Sequence, residues 1–353
     1  MELALSLPTK ARSWEVAKRA EELGFSHAWF YDTELLNAEV FVAMGAAAMK
    51  TSRIKLCAGV LIPSNRIAPV AASGLASLNA LAPGRVVFGA GTGFTARRTL
   101  GLGAVPLRRL ETYVRCVEGL LKGETVEWDG EGGSHKTRFL NPELELINLK
   151  DPIPTFISAF GPKARELTAK LGAGWIGSAS YPDGEKANLD HFRAAWQKNG
   201  RDAKMVYSSL STGGCVLDDG EAADSPRAKA QAGPYAAIAF HNLIEQEEFG
   251  SIFAGSFPFQ PELNAYREVY RRYQPADARY LTNHKGHLMF LRPEETHITA
   301  NVIRGLTLTG TRAELVERLR GIKALGYNQI QFHTVPGQED DMLERWADVM
   351  AKV

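Results

Sequence analysis

Short apolar runs alternate with amphipathic stretches along the first third of the chain. The apolar runs at 3–7, 27–31, 54–62 and 85–90 predict buried β-strands. Each run is followed by a stretch with helical spacing, and Pro69 and Gly24 stand where a helix is expected to begin and to end. Four strand–helix units in succession are typical of a parallel sheet with right-handed crossovers.

The alternation breaks once and then resumes. Residues 123–150 carry turn pairs such as Gly132-Gly133 and predict a hairpin or excursion. Further strands are expected at 154–159, 175–177 and 328–335 and somewhere within 205–217, while Thr311 and Glu314 predict a capping box for a helix over 314–325. Eight strands predict an α/β protein with a single (β/α)8 TIM barrel over 1–353, with insertions after strand four and between strand seven and the last helix.

The second insertion, over about 231–300, is rich in aromatic residues. It holds 11 of the 26 Phe and Tyr residues of the chain in a fifth of its length. Such a segment is either a lid over a substrate pocket, a dimer contact or a satellite core under a long loop.

Charge and composition exclude several classes of function. The formal net charge is +1, so nothing in the overall balance favours nucleic acid or an anionic membrane. No run of 18 apolar residues predicts a membrane span, and the N-terminus is a poor signal peptide because it has no basic start and is interrupted at Pro8. Three widely spaced cysteines favour a reducing, cytoplasmic location over a disulfide framework.

The strongest chemical signal follows predicted strand five. Ser158-Ala159-Phe160-Gly161-Pro162-Lys163 combines a tight turn with proline at a first helical position, so that free N–H groups would face an anion at the start of the helix. Gly177-Ser178, after the next strand, would close the other side of a phosphate site. The alternative is an ordinary strand-to-helix turn.

Other motifs give weaker signals. The segment from Gly89 to Phe94 lacks the third glycine of a dinucleotide fingerprint, because Phe94 stands in its place. His284-x-x-His287 has no carboxylate frame, so no metal site is predicted, although a neutral His287 is a candidate proton donor. A sugar-phosphate isomerase barrel without a redox cofactor would depend on the helix-end phosphate site alone.

Four segments together resemble the bacterial luciferase-like superfamily. They are Asp32 after strand two, CAGVLIPSNRIAP at strand three, VVFGAGTG at strand four and FISAFGPKARELTAKLGAGWIGS from strand five. The pattern is most similar to the coenzyme F420 (deazaflavin) branch, which includes methylenetetrahydromethanopterin reductases and deazaflavin-dependent glucose-6-phosphate dehydrogenases. The resemblance covers about 1–215 and 301–353.

This resemblance implies a flavin-like cofactor at the carboxyl ends of the strands. Gly59-Val60 matches a non-prolyl cis peptide that supports the back of the ring, and Gly91-Thr92-Gly93 matches the loop along the ring and ribityl chain. The phosphate cradle implied by the family coincides with the helix-start site above. The implied cofactor-binding residues are Asp32, Gly59, Val60, Gly91, Thr92, Gly93, Ser158, Ala159, Phe160, Gly161, Pro162, Lys163, Gly177 and Ser178.

Two departures from the family change the expected chemistry. The sugar-phosphate dehydrogenases have histidine after the strand-two aspartate and glutamate after the strand-four G-T-G, where this chain has Thr33 and Phe94. Glucose 6-phosphate is therefore not the expected substrate, and Phe94 with the aromatic insertion suggests a more apolar one. Thr33, Glu34 and His287 are the candidates for proton handling.

The expected function is hydride transfer between F420 and an organic substrate. Five residues separate Pro63 from Pro69, as in the deazaflavin branch, and this spacing favours F420 over FMN. The first alternative is an FMN-dependent monooxygenase that uses dioxygen and a flavin reductase partner. The second is a non-catalytic flavin-binding barrel. Family habit suggests a homodimer.

Overall fold

Parallel strands form a closed barrel in the computed structural model, which describes residues 1–179, 184–248 and 257–353. The strands in the described part are β1 (Glu2–Leu7), β2 (His27–Phe30), β3 (Lys55–Ala58), β4 (Val86–Ala90), β5 (Val126–Gly130), β6 (Gly133–Thr137), β7 (Thr155–Ser158), β8 (Gly174–Ser178), β9 (Ser208–Thr212), β10 (Val216–Leu217), β11 (Gly310–Thr311) and β12 (Gln329–His333).

Helices follow most of the barrel strands. Those in the described part are α1 (Ser13–Glu22), α2 (Val40–Ala48), α3 (Ala68–Leu81), α4 (Phe94–Arg98), α5 (Leu107–Leu121), α6 (Pro162–Leu171), α7 (Gly184–Lys198), α8 (Pro226–Glu248), α9 (Gln260–Tyr270), α10 (Arg279–Asn283), α11 (Ala300–Leu306), α12 (Arg312–Leu325) and α13 (Glu339–Met350).

The barrel has the strand order β1-β12-β9-β8-β7-β4-β3-β2, with β2 closing onto β1. This arrangement confirms the (β/α)8 barrel and its eight strands. The third strand is shorter than predicted: it ends at Ala58, the next peptide bond, Gly59–Val60, is cis, and Leu61 makes an isolated parallel bridge to Ala90. Thr311 and Glu314 form the expected capping box on α12.

Apolar side chains pack on both faces of the barrel sheet. Alternate strand residues such as Leu3 and Leu5 face the surrounding helices in the main core, whereas Ala4 packs with Trp29 and Phe156 in a smaller interior cluster. Within that interior, the Trp29 indole N–H donates to Gln329 Oε1 at 3.2 Å. The interior cluster fills the base of the barrel, so open space is left at the carboxyl ends of the strands.

Both irregular segments have structure of their own. β5 and β6 pair antiparallel as a hairpin between α5 and β7, within the expected excursion. Helices α8–α10 lie wholly or largely in the aromatic insertion, and α8 and α9 contribute Phe240 and Tyr266 to an apolar cluster separate from the main core. Phe249 and Phe253 of that insertion lie outside the described residues.

Candidate active site

A cavity of about 1080 Å³ lies over the carboxyl ends of the barrel strands and under α8. Its volume is at the upper end of the range for small-molecule sites. The expected residues that line it are Asp32, Thr33, Gly59, Val60, Gly91, Thr92, Gly93, Ser158, Phe160, Gly161, Ser178 and His287. These side chains and backbone segments come from β2, β3, β4, β7, β8 and the insertion, and the closed barrel brings them to one rim.

Five expected site residues do not form the cavity wall: Glu34, Ala159, Pro162, Lys163 and Gly177. The Ala159 backbone serves the barrel instead, since its N–H donates to the Ile176 carbonyl at 3.0 Å and its carbonyl accepts the Trp175 indole N–H at 2.7 Å. Lys163 is exposed to solvent. These five positions are neighbours in sequence of residues that line the cavity and do not line it themselves.

The backbone around Val60 forms one wall of the cavity. The cis peptide implied by the family resemblance is present between Gly59 and Val60. Gly91 lies directly against this bulge, and a Cβ at that position would come within 2.7 Å of a Val60 methyl group. The wall is therefore a close-packed apolar surface on which a flat ring can lie.

Asp32 is held by a cation that the sequence analysis did not identify. Its carboxylate accepts from Arg66 Nη1 at 2.5 Å, and the same guanidinium also pairs with Glu39. Burial raises the pKa of Asp32, and Arg66 only partly opposes that effect. The arrangement fixes the position of the carboxylate at the edge of the cavity.

The first turn of α6 opens towards the cavity. Gly161 is its N-cap and offers no capping side chain, Pro162 occupies the first turn, and Ala164 lines the cavity beside Gly161. A Cβ on Gly161 would meet nothing within 4 Å, so there is open space in front of the helix start. An anion placed there would face the positive end of a helix of 10 residues.

His287 reaches the cavity from the insertion. Its Nε2 lies 3.3 Å from Thr95 Oγ1, and its Nδ1 lies 3.3 Å from His241 Nδ1. Burial, together with His284 and His241, holds the pKa of His287 well below 6.5. The ring is therefore neutral at physiological pH.

A second group of polar side chains lines the cavity and was not found from the sequence. His333, at the end of β12, hydrogen-bonds to the Tyr31 hydroxyl through Nδ1 and to Ser211 Oγ through Nε2, at 2.7 Å for the latter. Tyr235 of α8 covers this group, with its ring centroid 5.0 Å from that of His333. The last strand is predicted over 328–335, which leaves His333 inside it, whereas the observed strand ends at His333 and so places this side chain at the barrel mouth, where catalytic groups of this fold lie.

The cavity also presents hydrogen-bond acceptors that are not satisfied. Asn37 Oδ1, Asn242 Oδ1 and Gln331 Oε1 are shielded from solvent and have no partner among the described residues, and all three residues line the cavity. Such atoms are costly unless a ligand donates to them. A flavin-like ring and its ribityl hydroxyls carry suitable donors, so the residues present fit such a group.

The described residues contain no cluster of three or more His, Cys, Asp or Glu side chains arranged to hold a metal ion. Within the same part of the chain, no helix is both long and apolar enough to cross a bilayer.

Comparisons with known proteins agree with this geometry. The chain is 31% identical over 230 residues to a 5,10-methylenetetrahydromethanopterin reductase of Methanolobus tindarius, covering 64% of this chain and 65% of that protein. It is 28% identical over 323 residues to the enzyme of the same name from Archaeoglobus fulgidus, covering 89% and 86%. The solved coenzyme F420-dependent tetrahydromethanopterin reductase of Methanopyrus kandleri superposes with a TM-score of 0.69 at 18% identity, covering 98% and 97%.

The family model for luciferase-like monooxygenases matches residues 4–329, nearly the whole barrel with both of its insertions. The chain belongs to the luciferase-like monooxygenase family.

Proposed function

We propose that this protein transfers hydride between coenzyme F420 and a small, mainly apolar organic substrate. The observation that carries the proposal is that one cavity joins the Val60 wall, the uncapped start of α6 and the unsatisfied acceptors at Asn37 and Gln331. The family supports redox chemistry, and the names of the relatives above support F420. The spacing between Pro63 and Pro69 supports the same branch.

Each part of the cavity would hold one part of the cofactor. Val60 and Gly91 would support the ring, and Gly161 with Ser158 would receive the phosphate at the start of α6. When bound, the deazaflavin supplies a hydride donor or acceptor at ring carbon C5. The protein would hold the substrate against the open ring face and exclude water.

The apolar wall supports an apolar substrate. Phe94 lines the cavity and stacks against Arg98, whose guanidinium carbon lies 4.1 Å from the ring centroid. The Arg98 charge is in turn paired with Glu245 at 2.6 Å, so this cation is not directed at the cavity. Ile62, Leu107 and Ile238 extend the apolar lining.

The decisive experiment is a fluorescence titration of the purified chain with F420 and with FMN, using Gly161→Asp as the probe of the phosphate seat. A carboxylate at Gly161 has room, and it would face the cofactor phosphate. We expect F420 affinity to fall by at least 100-fold, because the carboxylate introduced by Gly161→Asp would repel the phosphate that the helix start otherwise attracts. Gly103→Asp, at another exposed glycine with open space around it, is the matched control.

The outcomes separate the alternatives. Tight FMN binding with oxygen-dependent turnover would favour the monooxygenase, which needs a flavin reductase partner. F420 binding without hydride transfer to any of a broad panel of substrates would favour a non-catalytic flavin-binding barrel. No binding of either cofactor, or equal F420 affinity of Gly161→Asp and the parent chain, would refute the proposed site.

Two further expectations belong to the same proposal. We propose a homodimer formed through the adjacent helices α2 and α3, which contain no charged residue. Their outer faces expose Val42 and Val70, with Met49 at the C-cap of α2, and each of the three is more than half accessible to solvent. We also propose a cytoplasmic location, because Cys57, Cys116 and Cys215 are all buried free thiols.

A further inference from the structure

We propose that Tyr31, His333 and Ser211 form a proton relay that serves a carbonyl group of the substrate, with the Tyr31 hydroxyl as the group that contacts the substrate oxygen. This inference rests on the proposed hydride transfer and assigns its proton to residues that neither the family resemblance nor the comparisons single out.

The three side chains form one continuous hydrogen-bonded chain. The Tyr31 hydroxyl bonds to Nδ1 of His333, and Nε2 of the same ring lies 2.7 Å from Ser211 Oγ. All three residues line the cavity. Because each of them both donates and accepts, one proton can move in at one end while another leaves at the other end.

Two members of this chain, Ser211 and His333, lie across the barrel mouth from the wall formed by Val60 and Gly91. In the barrel order, β9 with Ser211 lies directly across from β3, which leads into the Gly59–Val60 bulge. A ring supported by that bulge would turn its other face towards Ser211, His333 and, from the insertion, Tyr235, which donates to the Ser211 carbonyl at 3.2 Å. Tyr31 follows β2, the neighbour of β3, and its hydroxyl extends across the mouth to His333.

The relay would supply the proton-exchanging groups that this chain lacks at two positions. The positions that carry histidine and glutamate in the related sugar-phosphate dehydrogenases hold Thr33 and Phe94 here. Neither threonine nor phenylalanine titrates, so neither exchanges protons in the physiological range. His333 is the histidine that lies in the cavity wall at a strand end, and its ring is fixed from both sides.

The need for a proton in the reaction favours a carbonyl compound as substrate. When hydride from the reduced cofactor adds to a carbonyl carbon, the π pair of the C=O bond moves onto oxygen, and that oxygen requires a proton. The Tyr31 O–H bond breaks to supply it. His333 Nδ1–H reprotonates Tyr31, the Ser211 hydroxyl reprotonates Nε2, and Ser211 recovers a proton from water. Reduced F420 loses a proton to water together with the hydride, and this proton replaces the one that Ser211 takes up, so protons and electrons balance.

A neutral hydroxyl donor suits a ketone or aldehyde. An iminium group already carries its positive charge and needs no proton on accepting hydride, whereas a carbonyl oxygen develops negative charge that a positioned O–H neutralises. In the reverse direction the same relay takes the proton of a secondary or primary alcohol. Burial lowers the pKa of His333 to about 3, so the ring stays neutral and acts by changing tautomer.

The experiment uses the full chain and four variants. Tyr31→Phe and His333→Phe remove the relay, and Tyr113→Phe is the matched control, because Tyr113 is a buried tyrosine of α5 that does not line the cavity. Ser211→Ala tests the far end. Three measurements are made: F420 affinity, binding of cyclohexanone, acetophenone and benzaldehyde to the complex with oxidised F420, and single-turnover reduction of the same compounds by reduced F420 at 420 nm.

A fourth measurement needs no cofactor. In histidine-selective ¹⁵N spectra of the protein alone, the resonances missing from His333→Phe identify His333. We expect a neutral ring whose Nδ1 shift changes in Tyr31→Phe and does not change in Tyr113→Phe. An unchanged Nδ1 shift in Tyr31→Phe would show that the hydrogen bond does not exist and would overturn the relay.

The expected result is ketone or aldehyde binding about fivefold to tenfold weaker in Tyr31→Phe, as for loss of one hydrogen bond. The single-turnover rate should fall at least ~100-fold in Tyr31→Phe and His333→Phe and by less in Ser211→Ala. F420 affinity should stay within about twofold in all four variants, with Tyr113→Phe like the parent.

Failure of the proposed function and failure of the relay are distinguishable. If the parent chain does not bind F420, both fall. If it binds F420 but binds and reduces none of the carbonyl compounds, the substrate class and the relay are overturned while the cofactor assignment stands. If reduction occurs and Tyr31→Phe and His333→Phe retain the parent rate, the relay alone is overturned.

Discussion

Position 89 has no room for a side chain. A Cβ there would lie 2.0 Å from the Ala58 carbonyl oxygen and 3.1 Å from both Trp29 and Val60. Since the closest neighbour is backbone of β3, a side chain at 89 would have to separate β3 from β4. The Val60 wall of the cavity depends on that close approach, because Leu61 N–H donates to the Gly89 carbonyl at 2.8 Å.

Gly89→Ala is expected to lower the free energy of unfolding by about 2–3 kcal/mol, as overpacking of a rigid core does. Urea denaturation of the full chain measures this. Gly103→Ala, which adds the same methyl group where nothing lies within 4 Å, should change stability by less than ~0.5 kcal/mol. Equal stabilities of the two variants would contradict the close approach of β3 and β4.

The helical insertion is held by buried charges as well as by aromatic packing. Glu295 pairs with Arg292 at 2.7 Å and with His241 at 2.5 Å. Burial alone would raise the pKa of Glu295, but His241 and Arg292 hold it at about 2. Nearby, the His297 ring packs between Phe240 and Tyr266, and neither of its nitrogens has a partner among the described residues. The insertion therefore combines a satisfied ion pair with a histidine that burial keeps neutral.

Acid should destabilise the protein partly through His297. Burial lowers the pKa of His297 to about 4, whereas the unfolded value is near 6.5. Between those values the unfolded state binds more protons, so the free energy of unfolding falls as the pH falls. His297→Phe should reduce the slope of stability against pH by up to ~1.4 kcal/mol per pH unit between pH 6.5 and 4.

Chemical denaturation at several pH values tests this expectation. Glu295 affects the free energy of unfolding in a lower pH range. Its stabilising contribution is present above the unfolded carboxyl pKa and is lost as the pH falls towards 2. His135→Phe on the hairpin is the control, because the His135 side chain is exposed to solvent in the folded protein. A slope that is the same in His297→Phe and in the parent chain would rule out the buried neutral ring.

At the scale of the whole molecule, the outer faces of α2 and α3 are the surface that a second copy would cover. Both helices lack charges, although neighbouring helices such as α1 and α5 carry several. A solvated helix pair without charges is unusual, because apolar faces of this kind are normally buried.

Val70→Asp is expected to convert a dimer into monomers, since it places a charge in the centre of an apolar contact. Size-exclusion chromatography with light scattering measures the mass directly. Leu144→Asp, at an equally exposed leucine outside these helices, should leave the mass unchanged. A parent chain that already runs at the mass of one chain would refute the homodimer.

Local patterns in the sequence were sufficient for the elements of the fold. Strand alternation, the Thr311–Glu314 capping box and the turn at Gly132-Gly133 each arise from neighbours in the chain, and the structure confirms them. The third strand was predicted too long, because its apolar run continues past Ala58 although the backbone leaves the sheet at Gly59. An apolar run indicates burial, and Leu61 and Ile62 beyond the bulge are buried without belonging to the strand.

The residues of the site likewise fall into two groups, those that local patterns predict and those that only folding brings together. Local chemistry and chain order were enough to predict the barrel, the helix start at Gly161 and the position of Asp32 at a strand end. The pairing of Arg66 with Asp32 and the contact of Tyr31 with His333, 302 residues further along, depend on the folded chain. The pairing of β2 with β3 sets the first contact, and barrel closure sets the second by bringing β1, the neighbour of β2, beside β12. No local pattern encodes which distant side chains then face each other.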